Sequence, residues 1–127
     1  MSFFAAHRDL LERAVAACRA RTYWSAYPES ASGKIYGETA KADGEAAFKA
    51  MLGKPFELDQ PSEARAGKET SPYGMALGIT YPTAAAATLI AASQRAGRGW
   101  AAASIEDRVG VCLEILQRVN RQSFLMA

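Results

Sequence analysis

Alanine supplies 27 of the 127 residues and leaves 36 larger apolar ones, so any core this chain builds must do with few large side chains. A buried Leu or Phe stabilises a fold by about 1.5–3 kcal/mol, and an Ala by much less. The chain is 50% hydrophobic, yet its core is thinner than that figure suggests. The length suits one domain that buries roughly two thirds of its extended surface. The apolar half excludes a disordered or collagen-like chain. A net charge of +2 and a pI near 8.6 give no basic footprint for nucleic acid.

Periodicity points to helices. Ala5 to Arg21 has no Gly or Pro, and Leu11, Ala14 and Cys18 recur at spacings of three and four. This helix is expected to stop near Thr22, before the aromatic run that ends at Pro28. A second helix is expected from Glu38 to Leu52, with Gly44 costing about 1 kcal/mol inside it and Gly53 as its stop. Asp59 to Pro72 is polar and reads as the best boundary. Leu77, Ile79 and Tyr81 alternate before Pro82, which predicts a strand over Tyr73 to Tyr81. No neighbouring sequence offers that strand a partner.

Two more helices follow. Thr83 to Ala96 is Ala-rich and is expected to end at Gly97. Ser104 to Asn120 opens on Ser104-Ile-Glu-Asp107, a capping-box pattern, and carries a stripe of Ile105, Val109, Cys112, Leu113 and Leu116. Phe124, Leu125 and Met126 leave apolar residues at the terminus.

Chemistry is sparse. His7 is the single histidine, so no His-paired nucleophile or His metal cluster can form, and a partly exposed helix position is expected for it. Cys18 and Cys112 fall on apolar helix faces, where Cys acts as a small buried hydrophobe. They form neither a disulfide framework nor a CxxC ligand pair. Gly97-Arg-Gly99-Trp-Ala-Ala102 matches G-x-G-x-x-A, but a helix precedes it where a dinucleotide site needs a strand; a helix stop and loop are expected. Gly33-Lys34 lacks both the leading Gly and the following Ser/Thr of a P-loop. Glu106 and Asp107 are explained by capping. Arg19, Arg21, Tyr23, Trp24, Lys34 and Tyr36 interleave charge with rings, a pattern that more often packs than stacks bases. No residue is therefore assigned a catalytic, cofactor-binding or metal-binding role.

The last helix carries a resemblance. Trp100-Ala-Ala-Ala-Ser104-Ile-Glu-Asp-Arg108-Val-Gly-Val-Cys112-Leu113-Glu-Ile-Leu116 resembles an early stretch of the aldehyde dehydrogenase superfamily. Tyr23-Trp24-Ser25-Ala26-Tyr27-Pro28-Glu29-Ser30, Tyr36-Gly37-Glu38, Leu52-Gly53-Lys54-Pro55-Phe56 and Ser71-Pro72-Tyr73-Gly74 are similar to the N-terminal extension of PaaN-type phenylacetic acid degradation proteins. The resemblance implies an α-rich α/β fold. Residues 1–70 would be a helical N-terminal extension, and 71–127 the opening strand and helices of a cofactor-binding domain.

In that family the nucleophilic Cys, general-base Glu and oxyanion-stabilising Asn lie well downstream, as does most of the NAD(P) site. The resemblance therefore implies the N-terminal portion of an NAD(P)-dependent aldehyde dehydrogenase of phenylacetate catabolism. This chain alone would be catalytically inactive and hold no cofactor. The alternative is a stand-alone, non-catalytic interaction or oligomerisation module. The expected setting is cytoplasmic, with self-association or the remainder of the enzyme as partner, and neither nucleic acid nor membrane.

Overall fold

A chain short of large side chains can still pack tightly if backbones touch at glycine, and three glycines do this here. The computed structural model describes residues 2–127. The helices are α1 (Phe3–Ala6), α2 (Arg8–Ala20), α3 (Gly33–Tyr36), α4 (Ala40–Met51), α5 (Ala86–Ala102), α6 (Ile105–Arg121) and α7 (Ser123–Met126). The strands are β1 (Ala64–Ala66) and β2 (Tyr81–Thr83). Contacts group them into two units, Met1–Glu45 with Ala103–Ala127, and Ala46–Ala102.

In the first unit α1 lies against α6. A Cβ on buried Gly110 would meet the Phe4 backbone nitrogen and stand 3.0 Å from the Phe3 carbonyl carbon. The expected single helix over Ala5 to Arg21 is thus two. Ser2 caps α1 by accepting from the Ala5 N–H at 3.2 Å, and the chain bends at His7 (φ −113°, ψ 11°). His7 is not the partly exposed helix residue the sequence suggested. It is 8% exposed, with Nε2 2.8 Å from Glu114 Oε2 of α6. The bend lets α1 reach Gly110 while the imidazole reaches Glu114. Arg21 closes α2 in the left-handed conformation, φ 53°.

Gly44 of α4 repeats the device. A Cβ there would lie 2.5 Å from the Phe124 carbonyl oxygen. The Phe124 ring meets Tyr36 edge-on, centroids 5.4 Å apart. The Tyr36 hydroxyl donates to the Pro28 carbonyl at 2.5 Å, with Asn120 Oδ1 a second acceptor at 3.1 Å. Of the apolar residues at the terminus, Phe124 and Leu125 are therefore half-buried, and Met126 is exposed.

The start of α6 is as read from the sequence: Ser104 Oγ accepts from the Asp107 N–H at 3.0 Å. Its packed face differs. Val109 and Leu113 are half-buried, but Ile105, Cys112 and Leu116 are exposed. Close approach at Gly110 draws that side of the helix inward and turns much of the apolar stripe away.

In the second unit the predicted strand over Tyr73 to Tyr81 is absent. Gly74 (φ +83°) and Gly78 (φ +63°) break the extended path, leaving isolated bridges Thr70↔Ala76 and Pro55↔Thr80. The strand begins at Tyr81 and pairs antiparallel with β1, in register Ala64↔Thr83, Arg65↔Pro82 and Ala66↔Tyr81. Its partner comes from the polar stretch Asp59 to Pro72, so the expected lack of a nearby partner also fails. Pro82 is tolerated because a two-stranded ribbon consists of edges.

Arg65 fastens this unit. Its Nη2 donates to the Phe56 carbonyl at 2.6 Å and the Thr80 carbonyl at 3.1 Å. Ile79, 4% exposed, is the buried large apolar residue, and its carbonyl oxygen is what a Cβ on Gly67 would strike. Glu63 caps α5: its carboxylate accepts from the Ala85 N–H at 3.1 Å and the Thr88 hydroxyl at 2.7 Å.

The α5 helix starts three residues later than expected and runs through Gly97 and Gly99 to Ala102. The Ala-rich run before Gly97 and Ala101–Ala102 after Trp100 sustain it, and apart from adjoining residues and the helix's own backbone no atom lies within 4 Å of a Cβ placed on either glycine.

The two kinds of glycine should respond oppositely to alanine. Gly97→Ala is expected to stabilise by about 0.5–1 kcal/mol, because the helix gains propensity at no steric cost. Gly110→Ala should destabilise by about 1–3 kcal/mol through overpacking against α1. Urea melts of the two variants check both signs.

Candidate functional site

Two polar side chains of the first unit, His7 and Arg118, meet at Glu114. Its Oε1 accepts from Arg118 Nε at 2.8 Å, one turn along α6, and its Oε2 meets His7 at 2.8 Å. Hydrogen bonding to Arg118 first, and to His7 second, holds the Glu114 carboxyl below its ordinary value, outweighing the opposing desolvation. Arg118 could be read from the sequence as an i,i+4 partner of Glu114. The His7 contact, 107 residues distant in sequence, could not.

A His–carboxylate pair performs acid–base catalysis only with a nucleophile or substrate atom within hydrogen-bond reach. The sulfur nucleophiles are elsewhere: both cysteines are exposed, which overturns the expectation that they are buried. The half-buried positions of α2 are Leu10, Leu11, Ala14 and Ala17, so Cys18 falls beside that face. Cys112 lies on the outward side of α6. Neither is at a helix N-terminus, where a thiolate would be favoured. The Glu114 pair thus ties α1 and α2 to α6.

The remaining sequence candidates resolve the same way. Gly97 to Ala102 is continuous helix rather than the expected stop and loop, so its N–H groups face carbonyls one turn back instead of an anion site. Gly33 and Lys34 open the single turn of α3 behind the Ser32 cap. Tyr36 is held by Pro28, Asn120 and Phe124, and the Tyr23 hydroxyl donates to Glu29 at 2.9 Å. Among the described residues no three His, Cys, Asp or Glu side chains gather to hold a metal, and no helix is long and apolar enough to cross a membrane.

The first unit also carries an apolar groove. Tyr27, Pro28, Tyr36, Leu116, Val119 and Phe124 line a groove of about 370 Å³. Its walls are mainly apolar. Such a surface recognises aliphatic or aromatic groups, with Glu29, Asn120 and Ser123 as polar groups on its wall.

The chain is similar over 98% of its length to the solved structure of an NAD-dependent aldehyde dehydrogenase from Burkholderia multivorans, with 52% identity and a TM-score of 0.89. It spans 23% of the length of that protein. No protein-family model matches the chain, and no curated protein does. A helix-rich chain with a small two-stranded sheet thus has the fold of a segment of an aldehyde-dehydrogenase-like protein.

Two outcomes follow from this geometry. Isothermal titration of the isolated chain with NAD or NADP should give no binding heat at micromolar to high micromolar concentrations, because the helical 97–102 segment presents no N–H cradle. Glu114 also sets an acid response. With its folded pKa lowered, its stabilisation is present above the ordinary glutamate range near 4.5 and is lost as pH falls through the lowered value. Glu114→Gln should therefore melt earlier than the parent at pH 7. The gap should narrow as pH is taken below 4.

Proposed function

We propose that this aldehyde-dehydrogenase-like chain is a portion of an NAD(P)-dependent enzyme of phenylacetate catabolism and carries none of its catalytic groups. The observation that carries the reading is 52% identity with a TM-score of 0.89 over nearly the whole chain. The phenylacetate assignment is supported by the motifs Tyr23 to Ser30, Leu52 to Phe56 and Ser71 to Gly74. In this reading residues 1–70 are a helical N-terminal extension, and 71–127 begin the cofactor-binding domain. The two parts interleave, since α6 packs on α1. The setting is cytoplasmic.

Such enzymes form a covalent thiohemiacetal on a cysteine, pass hydride to the nicotinamide, and release the acyl group to water or another acceptor. This needs a thiol beside an oxyanion donor and a base. Cys18 and Cys112 have neither arrangement, each lying exposed on a helix flank. The contribution of this chain is then structural: it presents apolar surface that the catalytic part packs against. A second reading, a free-standing interaction module, draws on the same exposed apolar residues of α5 and α6.

The assay is NAD(P)H formation from aliphatic and aromatic aldehydes by the purified chain. No turnover is expected. Turnover abolished by Cys18→Ala or Cys112→Ala would refute the catalytic part of the proposal.

A further inference from the structure

Among the described residues the Glu29 carboxylate has no counter-ion. Elsewhere in the first unit Glu12 stands beside Arg8, and Glu114 beside Arg118 and His7. Glu29 takes a hydrogen bond from the Tyr23 hydroxyl, 2.9 Å from its Oε1, and no Lys, Arg or His among the described residues pairs with it. That bond fixes one carboxylate oxygen on the wall of the groove and leaves the other to a ligand.

Three rings line the same groove: Tyr27, Tyr36 and Phe124. Tyr36 and Phe124 have their planes 71° apart and their centroids 5.4 Å apart, so they make a corner and not a stack. An aromatic face carries the negative part of the ring quadrupole, and a cation within about 6 Å of the centroid is drawn to it. Glu29 adds a full negative charge, and no basic side chain is among the lining residues. The groove, at about 370 Å³, has the size of a small-molecule site, about 300–1,000 Å³.

Hydrogen bonding selects among cations. A primary ammonium carries three N–H donors and holds its water strongly. Two acceptors near the rings, the Pro28 carbonyl and Asn120 Oδ1, already receive the Tyr36 hydroxyl at 2.5 and 3.1 Å. Glu29 and Ser123 alone would have to replace that water. A nitrogen bearing methyl groups has no N–H to satisfy and presents apolar surface to Leu116 and Val119.

We propose that this groove binds a small quaternary ammonium compound, with its methyl groups in the corner of Tyr36 and Phe124 and its charge balanced by Glu29. The site uses groups of the first unit alone and does not depend on the dehydrogenase reading.

The test is an NMR titration of the chain with choline and with 3,3-dimethylbutan-1-ol, in which carbon replaces the charged nitrogen. The terminal carboxylate of Ala127 also borders the groove, so the titration is repeated with that carboxylate amidated. In both forms choline is expected to saturate with a millimolar dissociation constant, and its N-methyl protons to shift upfield in the ring currents. The neutral isostere should bind about fivefold more weakly. Glu29→Gln, at an exposed side chain, should weaken choline about fivefold and leave the isostere unchanged. Tyr27→Leu keeps apolar bulk while removing one ring, and should weaken choline more than the isostere.

Absent saturation, an isostere that binds as tightly as choline, or a Glu29→Gln chain that binds choline like its parent would overturn the proposal. So would choline binding that vanishes on amidation, which assigns the attraction to the chain end. Tighter binding of Nα-acetyl-lysine amide than of choline would overturn it too, by assigning the groove to a primary ammonium.

Discussion

Close backbone approach at glycine is the contact on which both units depend. At Gly110 the α1 backbone rests on α6, at Gly44 the Phe124 backbone rests on α4, and at Gly67 the Ile79 carbonyl fills the place of a side chain. Dispersion between surfaces in contact replaces part of what large side chains supply in a richer core. Alanine-rich helices suit this geometry, since a methyl group also allows close approach. The consequence is a protein with one buried large apolar residue, Ile79, among the described residues.

The polar side chains that might have been read as chemistry are committed to joining elements. Glu114 holds His7 and Arg118, Glu63 closes the start of α5, and Arg65 gathers the carbonyls of Phe56 and Thr80. Charge-assisted hydrogen bonds of this kind fix geometry between short segments that share little apolar area. That pattern suits a chain whose similarity to a dehydrogenase is one of architecture.

Local signals were legible in the sequence and tertiary ones were not. The Ser104 cap and the span of α6 follow from hydroxyl and acid placement within four residues. The extent of α4 follows from Gly53 and the apolar spacing before it. The break at His7 has no local cause, because it serves Gly110 and Glu114 more than a hundred residues away. The strand over Tyr73 to Tyr81 was misjudged for a related reason: the alternation of Leu77, Ile79 and Tyr81 is real, but Gly74 and Gly78 adopt left-handed backbone that alternation does not register. Gly97 misled in the opposite direction, since a glycine between Ala96 and Arg98, both good helix formers, does not end a helix that nothing else interrupts. The absence of an assigned site was read from missing pairings, with His7 alone of its kind and the cysteines far apart. The outward strip of α6 escaped because its residues look like a core stripe until Gly110 sets which side faces in.

The break at His7 also bears on synthesis. Its partner Glu114 lies 107 positions later, so α1 and α2 leave the ribosome long before α6 exists. At about 5–20 residues per second, the wait is on the order of 5–20 s. The residues 46–102 that emerge in between need no later sequence to complete their own contacts, whereas the first unit stays open until its closing helix arrives. Pairing across so long a separation makes the docking of the N-terminus a late and slow event. The nascent N-terminal helices are therefore the stretch that a chaperone would meet bare.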